Sequence, residues 1–374
     1  MKINRFKAGP YYLRGLIFLI LLGFIAISCS KKKDHQKVID EIFENNPVID
    51  GLLGVQSRDN PDCITEDCPT SFFPAGHESD LRTMKEVTGA DAAIMSFTSL
   101  ASLTSWINRI DDGEFKNARV IRTKKDLLEV LDDPELFGIV FYLQSRKEGS
   151  EYRLNGDVAT LKTWFDLGLR IFQLAYDNKD YQMEGEILAY GDTDPYNTSL
   201  GITDLGYKAI DKLNELGMLV DVSHLNVPGT LQAAAYSSAP IICTHANTAA
   251  QLDTMRNKTD EEIKAIVAAG GMIGVTPVKH FITKGDNPCV EDLIKHINHI
   301  RNLVGIDYVG LSKDAIVDGW LPTSRFYPGE DLSRPDWMKV VALELYTKHG
   351  YTEEEIKKVI GGNFKRILIN NLPD

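Results

Sequence analysis

From residue 40 onward, short apolar runs alternate with segments whose apolar residues recur at helical spacing. The runs are VIDGL from 48, DAAIMSF from 91, FGIVFYL from 137, LRIFQLA from 169, GMLVDVS from 217, PIICTH from 240, GMIGVTP from 271 and YVGLS from 308. Each is continuously apolar rather than alternating, the pattern of parallel strands covered on both faces. Between them TDLGYKAIDKLNELG brings Leu205, Ile210, Leu213 and Leu216 near one face and stops at Gly217. TDEEIKAIVAAGG opens on a capping box from Thr259 to Glu262, and Thr352 to Glu355 forms a second box after the last run. Eight strand-then-helix units predict an α/β chain folded as a (β/α)8 TIM barrel with extra C-terminal helices, an open doubly wound sheet being the alternative. No internal repeat, Pro/Ser-rich linker or low-complexity tract divides the chain, so residues 40–374 read as one domain.

The first residues follow a different pattern. Lys2, Arg5, Lys7 and Arg14 precede an apolar run from Leu16 to Ile27, too short for an ordinary membrane span and suited to an export signal. AISC ending at Cys29 resembles a bacterial lipobox, which predicts a lipoprotein-type signal over 1–29, lipidation at Cys29 and a polar tether over 30–39. A plain signal peptide is the alternative. An exported, membrane-anchored protein facing the periplasm or cell exterior is the expectation. In that compartment Cys63 and Cys68, in the polar stretch PDCITEDCPT, are candidates for a local disulfide, with a zinc knuckle less well supported. Cys243 lies in an apolar run and reads as a core residue. A net charge of −12 without a long basic run argues against nucleic acid as a partner.

In a barrel of this kind chemistry sits at the C-terminal ends of the strands. The fifth predicted strand ends VDVSH and the sixth ends ICTH, placing His224 and His245 on neighbouring rims, and the eighth ends GLSKD, placing Asp314 there too. Two imidazoles so placed reach one zinc ion at about 2.0–2.1 Å; the alternative is that each merely caps its strand. His296 and His299 lie within one predicted helix, VEDLIKHINHIRNLVG, and read as packing or solvent-facing residues. There is no G-x-S-x-G elbow, P-loop or G-x-G-x-x-G at the first strand exit. A glycosidase would need acids at two strand ends, and Asp314 alone is placed.

These residues resemble the membrane (renal-type) dipeptidases of the amidohydrolase superfamily, from about residue 47 to the C-terminus. GITDLGYKAIDKLNELGMLVDVSHLNVPG, APIICTHANTAA, MRNKTDEEI, VEDLIKHINHIRNLVGIDYVGL and VIGGNFKRI follow one another in the family's order. The resemblance implies a barrel that binds two zinc ions and hydrolyses dipeptides. His224 and His245 match the histidines of one zinc, Asp314 the acid that handles the attacking water's proton, and Arg256 the arginine that grips the substrate carboxylate. A guanidinium fork reads a carboxylate in bidentate fashion, and an aspartate can accept that proton.

The other half of the family's site departs from the pattern. DGLLG puts Leu52 and Gly54 where the family carries a His and an Asp. The bridging glutamate falls on Gln144 in FYLQSRKEG, with Glu148 as the alternative carboxylate, and a substrate-binding histidine falls on Tyr176. The resemblance therefore implies one zinc ion rather than two, or none. It implies a dipeptidase-like hydrolase of dipeptides or related small amides, with Tyr176 donating to the oxyanion. An inactive homologue acting as a ligand-binding lipoprotein is the alternative. A homodimer is left open.

Overall fold

Every apolar run predicted as a strand takes part in parallel pairing in the computed structural model, which describes residues 34–54, 81–97, 100–144, 157–175, 201–285, 288–316 and 329–374. The strands are β1 (Ile49–Gly54), β2 (Ala92–Phe97), β3 (Ala118–Val120), β4 (Phe137–Gln144), β5 (Leu169–Gln173), β6 (Leu219–Asp221), β7 (Ile241–Ile242), β8 (Ile273–Val275), β9 (Val309–Leu311) and β10 (Ala315–Ile316). One sheet runs β10-β1-β2-β4-β5-β6-β7, and β8 pairs with β9. A bridge between Cys243 and Ile273 joins the two, supported by Gly274 N–H to the Cys243 carbonyl at 2.8 Å and Ala246 N–H to the Gly274 carbonyl at 2.8 Å. On the other side Asp314 N–H donates to the Leu52 carbonyl at 2.8 Å. Thus β9 and β10 are two pieces of the last staved strand, and the barrel closes on β1.

Gly274 is required at the β7–β8 seam. A Cβ there would lie 2.0 Å from the Thr244 carbonyl oxygen, so the two backbones approach more closely than any side chain allows. The short strand β3 was not anticipated. It pairs beside the start of β4, from Ala118 opposite Phe137 to Val120 opposite Ile139. Three residues with an exposed Arg119 in the middle are too few to give a readable pattern.

Alternate strand residues divide between two apolar layers, as the period of two demands. Ala93, Met95, Ile139, Phe141, Phe172, Val220, Cys243 and Val275 pack in the larger cluster with residues of the surrounding helices. Ala92, Ile94, Val140, Tyr142, Ile171, Leu219, Ile242 and Met272 form the second, together with Phe364, Ile367 and Leu368 of the helix Asn363–Asn371. That helix therefore closes one end of the barrel interior, where Phe364 lies against Gly51 and Gly310. Further along the same inward series stand Gln173, Asp221 and Thr244, all fully buried.

The helix boundaries follow the capping chemistry. Thr203 accepts from Gly206 N–H at the head of Asp204–Leu216, which ends on Gly217 in the left-handed region. Both capping boxes form, Thr259 with Glu262 and Thr352 with Glu355. A helix from His35 to Asn45 begins within the stretch read as a tether; its Asp40 pairs with Lys339 at 3.1 Å. The leader with Cys29, the Cys63–Cys68 pair, Tyr176 and Glu148 lie outside the described residues.

Candidate active site at the ends of β6, β7 and β9

The chain leaves β6 through Val222 and Ser223 and turns at His224, whose φ of 66° lies in the left-handed region. Such a conformation is uncommon for a residue with a Cβ and is held by its surroundings. Here Lys258 supplies the restraint. Its buried ammonium donates to the Leu225 carbonyl at 2.6 Å, to Thr230 Oγ1 at 2.8 Å and to Glu262 Oε1 at 3.1 Å. His245 stands at the end of β7 after Thr244. Its Nε2 lies 2.9 Å from the Nε2 of His224, both rings being buried. The two predicted imidazoles are therefore brought together.

Burial holds His245 well below the usual imidazole range, with the neighbouring His224, Arg256 and Lys258 adding to the effect. The ring is neutral at pH 7, the form in which an imidazole donates a lone pair. Behind it Asp221, fully buried, gathers donors. Oδ1 accepts from Ser223 N–H at 2.9 Å, Ser223 Oγ at 2.8 Å and Thr244 N–H at 3.1 Å, and Oδ2 from Thr244 Oγ1 at 2.7 Å. The Tyr142 hydroxyl also bonds Asp221 Oδ2. Thr244 Oγ1 in turn lies 2.7 Å from His245 Nδ1. Asp221 and Thr244 were not singled out in the sequence, although an Asp inside the apolar run LVDV is itself a signal of a buried, satisfied carboxylate.

Arg256 is 3% exposed, yet Nε, Nη1 and Nη2 have no hydrogen-bond partner among the described residues. Its guanidinium lies over the Phe281 ring, 4.9 Å from the centroid. The segment that carries it is clamped on several sides. Asn247 Nδ2 donates to the Thr276 carbonyl at 2.8 Å and Asn257 Nδ2 to the Phe281 carbonyl at 2.9 Å. His296 Nδ1 accepts from Thr248 N–H at 3.0 Å, while its Nε2 lies 3.0 Å from the Ile282 carbonyl. His296 thus packs, as its helical setting predicted, and also secures the segment after His245. His299 pairs with Asp260 at 2.6 Å.

Burial holds the His296 imidazole down to about 4. The unfolded chain binds that proton near 6.5, so the stability His296 contributes is present above 6.5 and is lost as pH falls towards 4. Replacing His296 by Gln is expected to remove that loss, roughly 2–3 kcal/mol across the window. Chemical denaturation of both proteins at pH 7, 5.5 and 4.5 measures the difference. Asp50, which burial pushes up to about 7, acts in the opposite direction but equally in both proteins.

The end of β1 has another character. Leu52 and Leu53 are buried, and Asp50 Oδ1 accepts the N–H groups of Leu52 at 3.0 Å and Lys313 at 2.9 Å. This carboxylate ties the first strand to the last and fixes the turn in which Asp314 takes φ 54°. Asp314 is half-buried beside the apolar Leu52. Gln144 ends β4 opposite Gln173, buried. Among the described residues no group of three or more His, Cys, Asp or Glu side chains could hold a metal ion. Among the described residues His224 and His245 form a pair of imidazoles, one donor short of the three protein ligands that a catalytic zinc commonly takes.

Residues 147–371, more than half of the chain, match the family model described as Membrane dipeptidase (Peptidase family M19). Dipeptidase verJ of Clonostachys rogersoniana is 25% identical over 217 residues, covering 58% of this chain and 52% of the relative. Dipeptidase 3 of Rattus norvegicus is 27% identical over 223 residues, covering 58% of this chain and 42% of the relative. The chain thus matches about half the length of these curated relatives. Among solved structures, an amidohydrolase from Pseudomonas aeruginosa superposes with a TM-score of 0.71 at 20% identity, covering 89% of this chain and 99% of the other. A metallopeptidase from Rhodobacter sphaeroides, liganded with a phosphinate mimic of the dipeptide L-Ala-D-Ala, gives 0.67 at 18% identity, covering 88% and 99%. At these identities the structural matches support the (β/α)8 fold.

Proposed function

The chain belongs to the membrane dipeptidase family, and from that premise we propose that it is a dipeptidase-like hydrolase of dipeptides or related small amides bearing a free carboxylate. The observation that carries the reading is Arg256, a buried guanidinium with all three nitrogens unpartnered among the described residues, on the segment that leaves the His224–His245 pair. An unpaired buried cation is costly, and a carboxylate matches its planar fork in charge and shape. Phe281 beneath it fixes the plane in which the fork is presented.

In this reading Arg256 sets the substrate's C-terminal end, and Asp314, on the rim beside Leu52, accepts the proton of the attacking water. Tyr176 donates to the developing oxyanion. His224 and His245 are the residues that would hold a single ion, with Gln144 or Glu148 completing the set. Lewis acidity at the scissile carbonyl is what such an ion supplies when bound. Among the described residues the β1 end presents the buried Leu52 and Leu53 rather than side-chain donors for a second ion. Attachment to a membrane through a lipidated Cys29, with the domain exported, belongs to the same proposal and rests on the leader sequence.

Zinc analysis of the purified protein tests the reading together with cleavage assays. One ion per chain and peptide-bond hydrolysis lost in His224→Ala support it; absence of cleavage after zinc loading contradicts it. A second reading, binding without turnover, is favoured by the direct 2.9 Å contact between the imidazoles and by Leu52, buried, and Gly54 where the family carries its His and Asp. It predicts dipeptide binding with no product.

A further inference from the structure

We infer that Asp221, acting through the Thr244 hydroxyl, sets the tautomer of His245 and so the polarity of the imidazole pair. The inference follows from counting protons. Asp221 is the meeting point of donors from Ser223 N–H and Oγ and Thr244 N–H and Oγ1, and it also lies against the Tyr142 hydroxyl, whose single hydrogen has Gln173 Oε1 as its other acceptor. The four donors of Ser223 and Thr244 leave the Asp221 carboxylate an acceptor towards Thr244, with no proton to give it. The Thr244 hydroxyl carries one hydrogen, and at 2.7 Å from Asp221 Oδ2 that hydrogen is committed to the carboxylate. The Ser223 hydrogen is likewise committed to Asp221 Oδ1. Towards His245 Nδ1, also at 2.7 Å, Thr244 Oγ1 can only accept. His245 therefore carries its proton on Nδ1 and presents a bare Nε2.

The consequence reaches the neighbouring ring. Across the 2.9 Å contact, His245 Nε2 accepts and His224 Nε2–H donates. The tautomer of His245 is set from inside the barrel, and with it the sense of the contact with His224. Asp221 and Thr244 are positioning residues that act through the orientation and proton of His245. Their effect on catalysis rests on the hydrolase reading above; the tautomer itself does not.

Nitrogen-15 NMR of histidine-labelled, zinc-free protein, with His245 assigned from a His245→Gln sample, reads the tautomer directly. The expected spectrum shows the proton on Nδ1 and an unprotonated Nε2; a protonated Nε2 on His245 in the parent protein overturns the inference. Thr244→Val is expected to release an Nε2–H population, and Thr244→Ser to preserve the parent pattern. An unchanged tautomer in Thr244→Val also overturns it. If the valine variant does not fold, the parent spectrum alone decides. Zinc affinity measured in competition with a chelator is expected to fall roughly 10- to 100-fold in Thr244→Val and to be restored in Thr244→Ser. Failure to cleave any dipeptide would remove the proposed activity and leave the tautomer result standing, so the two failures are distinguishable.

Discussion

Replacing Arg256 by methionine is expected to weaken dipeptide binding at least thirtyfold while raising the stability of the free protein. The two effects share one cause. In the free protein the guanidinium is buried with no hydrogen-bond partner among the described residues, and its only described compensation is the Phe281 ring. Desolvating an ion without a partner costs several kcal/mol, of which a cation–π contact returns about 2. An apolar side chain of similar length removes the deficit, for an expected gain of about 1–3 kcal/mol. With a carboxylate bound, the same guanidinium becomes one half of a buried, charge-assisted pair. Losing it then costs about 2–5 kcal/mol, or at least a thirtyfold weaker dissociation constant. Thermal melts and calorimetry on the same two samples check both signs. A structural arginine would lose stability and leave binding nearly unchanged.

Lys258→Met is expected to have the largest effect on stability, a loss of about 3–5 kcal/mol. Lys258 and Glu262 are 1% exposed each, and the lysine also donates to the Leu225 carbonyl and Thr230. Removing it strands the Glu262 carboxylate and frees the carbonyl that follows the left-handed turn at His224. The double variant Lys258→Met with Glu262→Gln is expected to recover most of the loss, because the uncompensated charge is gone and one capping oxygen for Thr259 remains. Urea denaturation of the single and double variants measures the coupling. Dipeptide binding stays weakened in the double variant, since nothing then holds the Leu225 carbonyl.

The order of strands and helices was legible because unbroken apolar runs and Thr-x-x-Glu boxes are local signals with a single structural meaning. His224, His245 and Asp314 were legible because each ends such a run, and a barrel presents strand ends on one rim. Asp221 and Thr244 were not. Parallel strands are apolar on both faces, so the parity that puts them inside the barrel is hidden until the register is known. The contacts of Lys258 have no local signal, since only the fold brings Leu225 and Thr230 to it. The apolar β1 end was visible in DGLLG, but its replacement bonding, Asp50 tying Leu52 to Lys313, required the closed barrel.

The central claim is that this site is built around a substrate carboxylate held by Arg256. Calorimetric titration with a dipeptide and with its C-terminal amide tests it most directly, because the two ligands differ only at the group Arg256 would grip. The free acid is expected to bind at least tenfold more tightly than the amide, and the difference to vanish in Arg256→Met. Equal affinity for acid and amide in the parent protein, or no affinity for either, would contradict it.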